Sequence, residues 1–343
     1  MTSSIPVHQT AAWVENPGPC GRLIIRHDVD VQQPREREVL VRVEYSGVCH
    51  SDCMNLIGRG EQNPIPGHEG VGTVVSLGPN SPSALLDRRV GVKWLWSACN
   101  SCKTCRSGRI NNCPFVSNTG RNKPGTLAQY VIAHADFVTF IPEGLPSEIA
   151  APLLCAGLTM AGAVSLCAPE TKPGRGLGHL RLQFAVKARG YRVVAIDTGS
   201  EKKSLCLKLG ATAFLDFAKE NVAEQVKMLT GGEGADAVIV VVGSEKAYEL
   251  APTLLRNTGT LVCVGIPRFD FHLPIAPIEM ADKGFFVKGS STGTKAQMDE
   301  VFALAISKEI VPHIEVYPFS KLAHILGRLL KNEVSGRIVV KVP

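Results

Sequence analysis

The chain has 343 residues, 45% of them hydrophobic and 20% charged, with a formal net charge of +6; this is long enough for two domains, each with its own core. The mild positive charge is spread along the sequence, with no basic stripe interleaved with aromatics, which argues against a nucleic-acid partner. The opening MTSSIPVHQTAAWVENPG has no apolar signal core and no run approaches 18 apolar residues, so the expectation is a cytoplasmic protein with no membrane partner.

Residues 1–156 read as β-rich, with short β-branched runs over 39–45, 70–77 and 129–132 bounded by Gly, Pro and Asn. Residues 157–289 change character. A strand over 191–197 precedes a helix over 201–209; a strand over 235–243 precedes a helix over 244–256; a further strand covers 259–267. Alternation of this kind predicts an α/β unit with a doubly wound parallel sheet. The remaining residues, 290–343, carry helices near 295–307 and 320–331 and a last strand over 337–342.

Eleven cysteines without a secretory signature point to thiols and metal rather than disulfides. Four lie in CNSCKTCRSGRINNC, as Cys99, Cys102, Cys105 and Cys113. The spacing C-x2-C-x2-C-x7-C brings consecutive sulfurs onto one ion, and Gly108 with Asn111 and Asn112 turns the chain back to the fourth corner. A closed four-thiolate site is structural and does not disclose an activity. Cys20, Cys53, Cys167, Cys206 and Cys263 read as small buried hydrophobes.

A second set is dispersed. GVCHSD holds Cys49, His50, Ser51 and Asp52; GHEGVG holds His68 and Glu69; LLCAGLT holds Cys155. Cys, His and Cys suit a catalytic zinc, with three protein ligands leaving one position open. Spacing alone supports this weakly, because an isolated His68 is as readily a hydrogen-bonded structural histidine.

In their order, GVCHSD, GHEGVG, the four-cysteine lobe and CAGLT resemble the zinc-containing medium-chain alcohol dehydrogenases, most closely the fungal, yeast-type branch. The resemblance covers nearly the whole chain. It implies a β-rich GroES-like catalytic domain over 1–156 and 290–343, with a structural zinc lobe over 95–115, and a Rossmann-like NAD-binding domain over 157–289. It implies Cys49, His68 and Cys155 as catalytic zinc ligands, with Glu69 close enough to approach the metal. It makes Asp52 the carboxylate that orients a ligand and Ser51 the hydroxyl that takes the substrate proton, with His50 beside it. The activity implied is hydride transfer between an alcohol, or its carbonyl, and NAD(H), with two zinc ions per chain. The resemblance also implies a homo-oligomer, dimer or tetramer. Two departures stand out. Ile57 occupies the place of the histidine that passes the proton to solvent in yeast-type members. Gly60 replaces a pocket aromatic, and the following loop is shorter, so the substrate is expected to be bulkier than ethanol. Trp94 matches the other pocket aromatic.

A dinucleotide fold needs a strand, a glycine turn and a helix whose N-terminus meets the pyrophosphate. The turn reads G-R-G-L-G, with Gly176 and Gly178, and Asp197 ends the next strand, where a carboxylate would accept from the adenosine ribose hydroxyls and favour NAD over NADP. By resemblance Lys202 lies near the adenosine, His50 and Arg337 flank the pyrophosphate, and Thr159 adjoins the nicotinamide. The strand before the turn is missing: Pro169-Glu170-Thr171-Lys172-Pro173-Gly174-Arg175 has two prolines, three charges and no apolar run. Either a short coding stretch is absent from the sequence, as a misplaced splice boundary would cause, or the protein lacks its central strand. Two functions follow: an alcohol dehydrogenase or aldehyde reductase, with a fungal biosynthetic pathway as its expected setting, or a zinc-stabilised relative that has lost cofactor binding.

Overall fold

The computed structural model describes residues 5–60, 62–167, 183–331 and 333–343. Gly176 and Gly178, and the run 169–175 before them, lie outside the described residues. In chain order the strands are β1 His8–Glu15, β2 Arg22–Asp30, β3 Glu38–Val48, β4 Glu69–Leu77, β5 Arg89–Lys93, β6 Leu95–Ser97, β7 Ser117–Asn118, β8 Tyr130–His134 and β9 Thr139–Phe140. There follow β10 Val194–Asp197, β11 Ala213–Asp216, β12 Ala235–Val240, β13 Leu255–Cys263, β14 Phe286–Gly289, β15 Ile314–Pro318 and β16 Arg337–Lys341. The chain forms two compact units, one of residues 1–156 and 312–343 and one of residues 157–311. Residues 290–311 thus fall in the second unit, where the sequence reading had grouped them with the first.

The first unit is organised by β3, EVLVRVEYSGV, whose alternating Val39, Val41 and Val43 are buried in the core. One edge of β3 pairs antiparallel with β4. The other is shared: Glu38–Arg42 face β8, and Tyr45–Val48 face β16 from the far end of the sequence. The result is one seven-stranded sheet, ordered β15-β16-β3-β4-β5-β9 with β8 beside β3. Its core takes in Leu322, Ile325 and Leu326 of the helix Leu322–Leu330. Glu69, the first residue of β4, and Arg337, the first of β16, therefore start strands on either side of β3.

The second unit has the expected alternation of strand and helix, but its sheet is in two pieces. β10 and β11 form a parallel pair, and β12, β13 and β14 form a parallel trio. Among the described residues neither piece pairs with the other. In a doubly wound sheet of order 3-2-1-4-5-6, β11 and β10 take places 3 and 2 and β12 to β14 take places 4 to 6, so place 1, between β10 and β12, is the one that no described strand fills. A single apolar core still runs under both pieces, through Val194, Leu215, Val226, Val238, Tyr248 and Leu261.

Element boundaries differ from expectation where turn chemistry decides them. The helix expected over 244–256 runs over Glu245–Leu254, because the Ser244 side chain caps it by accepting from the Ala247 N–H. Leu255 and Arg256 already belong to β13, which begins before the expected 259. Of the five isolated cysteines, Cys53 and Cys167 are buried, Cys206 and Cys263 are partly buried, and Cys20 is exposed, contrary to its reading as a core residue. One helical run, Ser147–Ser165, is long and apolar enough to cross a membrane by length and composition, and 78% of it is buried inside the fold.

Candidate active site and metal centres

The four-cysteine lobe is built by backbone that feeds its own sulfurs. Cys102 caps the short helix Lys103–Arg106 by accepting from the Cys105 N–H at 3.4 Å. Cys99 Sγ accepts from the Cys102 N–H at 3.4 Å, and Cys113 Sγ from the Phe115 N–H at 3.4 Å. The sulfurs stand 3.5 Å apart for Cys99 and Cys113, 3.9 Å for Cys99 and Cys105, and 4.0 Å for Cys102 and Cys113. Four thiolates at tetrahedral corners, ~2.3 Å from one zinc, lie ~3.8 Å from each other. No disulfide has such spacing. The N–H groups of Ser101 and Cys102 draw Cys99 down to about 6, while burial and the adjoining sulfurs push Cys105 up to about 12. Crowded sulfurs oppose each other's ionisation, and a divalent cation removes that opposition. The donor set fits a closed zinc site.

The second set gathers around the start of a short helix, Asp52–Leu56. Asp52 is buried and makes three contacts. Its Oδ2 accepts from the Cys49 N–H at 2.8 Å, its Oδ1 accepts from the Gly67 N–H at 3.2 Å, and the same Oδ1 lies 3.0 Å from His68 Nδ1. The carboxylate thus fixes the His68 ring through Nδ1, and the ring also hydrogen-bonds with Cys49. Cys155 arrives from another direction, on a π turn over Leu153–Gly157 that widens the helix beginning at Ser147. Such single π turns reorient side chains within a helix. Ligand atoms of Cys49, His68, Glu69 and Cys155 all lie within 4.8 Å of one another.

Charge and space within this cluster fit a cation. Burial opposes a charged His68, yet the Asp52 carboxylate holds its pKa well above the ordinary value. A hydrogen bond with Cys155 holds the Cys49 thiol well below its usual value, against burial, and Cys155 is correspondingly pushed up. Burial raises Glu69 to about 7, with the Arg337 guanidinium pulling the other way. Arg337 Nη2 donates to Glu69 Oε1, while Glu69 Oε2 is buried with no hydrogen-bond partner. Room for that carboxylate comes from Gly47 on β3, where a Cβ would stand 2.0 Å from Oε2. An unsatisfied buried oxygen beside two cysteines and a histidine suits a metal that carboxylate can approach.

The other expected site residues are placed as follows. The Ser51 hydroxyl is exposed, 3.7 Å from Cys49 Sγ. His50 is exposed beside it, and Ile57 caps the helix after Leu56. Gly60 has φ +73° and only Gln62 Nε2, at 3.9 Å, near the place of a Cβ. Trp94 presents its ring edge-on to His68, with centroids 5.3 Å apart. Thr159 is half-buried in the helix Leu158–Ser165. Asp197 ends β10, accepting from the Thr198 N–H at 2.8 Å and from Lys202 Nζ at 2.8 Å. Sequence reading had not foreseen Gly47, nor Thr126, whose Oγ1 accepts from the Glu69 N–H at 3.3 Å and pairs with Ser46 Oγ at 2.8 Å. The only signal for either is a small residue in a β-rich segment, which sequence does not link to Glu69.

Comparison with known proteins bears on the whole chain. Residues 35–143 match the family model of the alcohol dehydrogenase GroES-like domain, and residues 176–307 that of the zinc-binding dehydrogenase. Alcohol dehydrogenase 2 of Emericella nidulans is 38% identical, covering 98% of each chain. That alignment spans 368 positions, 25 more than the 343 residues here, so the relative carries residues with no counterpart in this chain. An alcohol dehydrogenase of Geobacillus stearothermophilus is 37% identical over 91% of this chain and 94% of its own. Among solved structures, the alcohol dehydrogenase of Aeropyrum pernix superposes with a TM-score of 0.86 at 27% identity, covering 96% of this chain and 99% of that one. An acetophenone reductase from Geotrichum candidum, in complex with NAD, does so with a TM-score of 0.85 at 26% identity, covering 99% and 98%. With both metal sets assembled and both family models matched, the chain belongs to the zinc-binding alcohol dehydrogenase family.

Proposed function

We propose that the protein is a zinc-dependent alcohol dehydrogenase or carbonyl reductase that uses NAD(H) on a substrate bulkier than ethanol. The observation that carries this reading is the convergence of Cys49, His68, Cys155 and Glu69 on one point, with Asp52 tying Cys49, Gly67 and His68 together. Zinc held there would polarise the substrate oxygen, and a nicotinamide beside it would exchange the hydride. The protein's own residues do the rest. Asp52 keeps His68 Nε2 toward the ligand position. The Ser51 hydroxyl, next to Cys49 and open to solvent, exchanges the substrate proton with water directly, since Ile57 offers no onward relay. Gly60 leaves open the space that an aromatic would fill, and Trp94 walls the side next to His68.

Asp197 with Lys202 supports the ribose end of an NAD site. All eleven cysteines are free, which fits a reducing compartment such as the cytosol. Exposed Ile266, Phe269, Ile278 and Phe286 on the second unit support a homo-oligomer. That no described strand joins β10 to β12 favours a second reading, a relative with both metal sites but impaired cofactor binding. Turnover of a series of primary, aryl and branched alcohols, with zinc content and NADH fluorescence enhancement measured on the same preparation, separates the two. NADH binding with turnover that rises from ethanol to larger alcohols supports the first. Two zinc ions with no NADH signal supports the second. Zinc below one ion per chain contradicts both.

A further inference from the structure

β10 and β11 run parallel in a register that sets Asp197 opposite Asp216, so neighbouring strands end on aspartates side by side. Their surroundings differ. Asp197 is over a third exposed and reaches outward to Lys202. Asp216 is only 8% exposed and faces back into the turn that follows β10. Its Oδ1 accepts from the Ala218 N–H at 3.1 Å, and its carboxylate also accepts from the Thr198 hydroxyl and the Gly199 N–H. The Thr198 hydroxyl, followed by the backbone donors, holds it below the usual carboxylate range. The Phe217 N–H in turn donates to the Asp197 carbonyl at 3.2 Å. Gly199, at φ +99°, is where the chain turns into the helix Ser200–Lys208 that carries Lys202. The two residues after Asp197 are thereby clamped to the end of β11, and with them the direction of the Asp197 side chain.

We propose that Asp216 is the positioning residue that aims Asp197, and that the clamp from Asp216 to Thr198 and Gly199 sets the protein's preference for a free adenosine ribose 2′-hydroxyl over a 2′-phosphate. The inference rests on the reading of Asp197 as the ribose carboxylate. Two physical effects act together. A carboxylate accepts hydrogen bonds from two ribose hydroxyls only if its plane is fixed. A second ionised carboxylate one strand away, its charge offset only in part by the exposed Lys219 ammonium at 3.7 Å, deepens the negative potential met by a 2′-phosphate.

The test uses two probes that differ only in the 2′-phosphate, 5′-AMP and adenosine 2′,5′-bisphosphate, titrated into the full-length protein by ligand-observed NMR. Both probes carry the same 5′-phosphate, so any contribution of the glycine turn cancels in the ratio of their affinities. Asp216→Asn keeps the side-chain shape but sets an amide against N–H donors. It is expected to weaken 5′-AMP about tenfold and leave the bisphosphate within about twofold, which is roughly 1.4 kcal/mol of selectivity. Thr198→Val, which removes the other end of the same hydrogen bond, should reproduce the shift. In an Asp197→Gly background Asp216→Asn should have no further effect, because it acts through Asp197. Equal weakening of both probes, or an undiminished effect without Asp197, would overturn the inference alone. If the unmodified protein binds neither probe, or both equally, the ribose assignment of Asp197 fails and takes the inference with it.

Discussion

The two units of this chain solve the same problem, burying a sheet, with unequal completeness. In the first, β3 is paired along both edges, and the last strand of the sequence returns to close the half of β3 that β8 leaves open. The Glu69–Arg337 pair depends on that continuity, since the two residues begin strands flanking β3. In the second, among the described residues, β10–β11 and β12–β14 share a core but not a ladder. The difference shows that the site chemistry is assembled by side chains of the first unit, without help from the strands described in the second.

The largest expected effect breaks the metal side. Cys49→Ser should lower turnover by about a thousandfold or more, given the several kcal/mol a catalytic metal supplies, while leaving the melting temperature and the four-cysteine zinc in place. Cys102→Ser should do the reverse. It should lower the melting temperature by about 10 °C or more, because binding energy at a closed site is folding energy. If the two variants behave alike in metal content, stability and turnover, the split between catalytic and structural sites is wrong.

Next in size is repair of the cofactor side. Inserting a family-like apolar strand ahead of Gly176 should raise stability by a few kcal/mol: each large buried side chain contributes about 1.5–3 kcal/mol, offset by about 1–2 kcal/mol for ordering each residue. NADH affinity should rise at least about tenfold with it. Unchanged melting and unchanged affinity would show that the strand is dispensable. Asp197→Gly should then shift preference toward NADP by about tenfold, the scale of one or two charge-assisted hydrogen bonds; equal use of both cofactors by the unmodified protein contradicts the assignment. The smallest effect concerns Thr258, a β-branched residue at φ +63° in the irregular start of β13. Thr258→Asn, with a residue that tolerates this region, should stabilise by about 0.5–1 kcal/mol, read as a small rise in the melting midpoint.

How much of this was legible in the sequence depends on distance along the chain. The four-cysteine lobe is local, and its spacing alone predicts the geometry the structure shows. Cys49, His68 and Cys155 are spread over more than a hundred residues, and only the resemblance brought them together ahead of the structure. Strands with period-two burial, such as β3, are legible, whereas element ends are less so, because local capping such as that by Ser244 sets them. The pairing of Glu69 with Arg337, separated by 268 positions, left no local trace. Gly47 looks like any glycine in a strand until a neighbouring carboxylate is seen to need its missing Cβ. Asp216 had a faint signal, since β10 and β11 both end in Asp, but only the parallel register makes those two residues neighbours.

The inequality of the two units is tested most directly by amide hydrogen exchange on the full-length protein, read at the level of single strands. The account predicts that amides of β3, β4 and β16 exchange only through global unfolding. Those of β10 and β12, which no described strand joins, should exchange about a hundredfold faster or more, through opening of the second unit alone. Equal protection of β3 and β12 would mean that the second unit is as continuous as the first and would contradict the account.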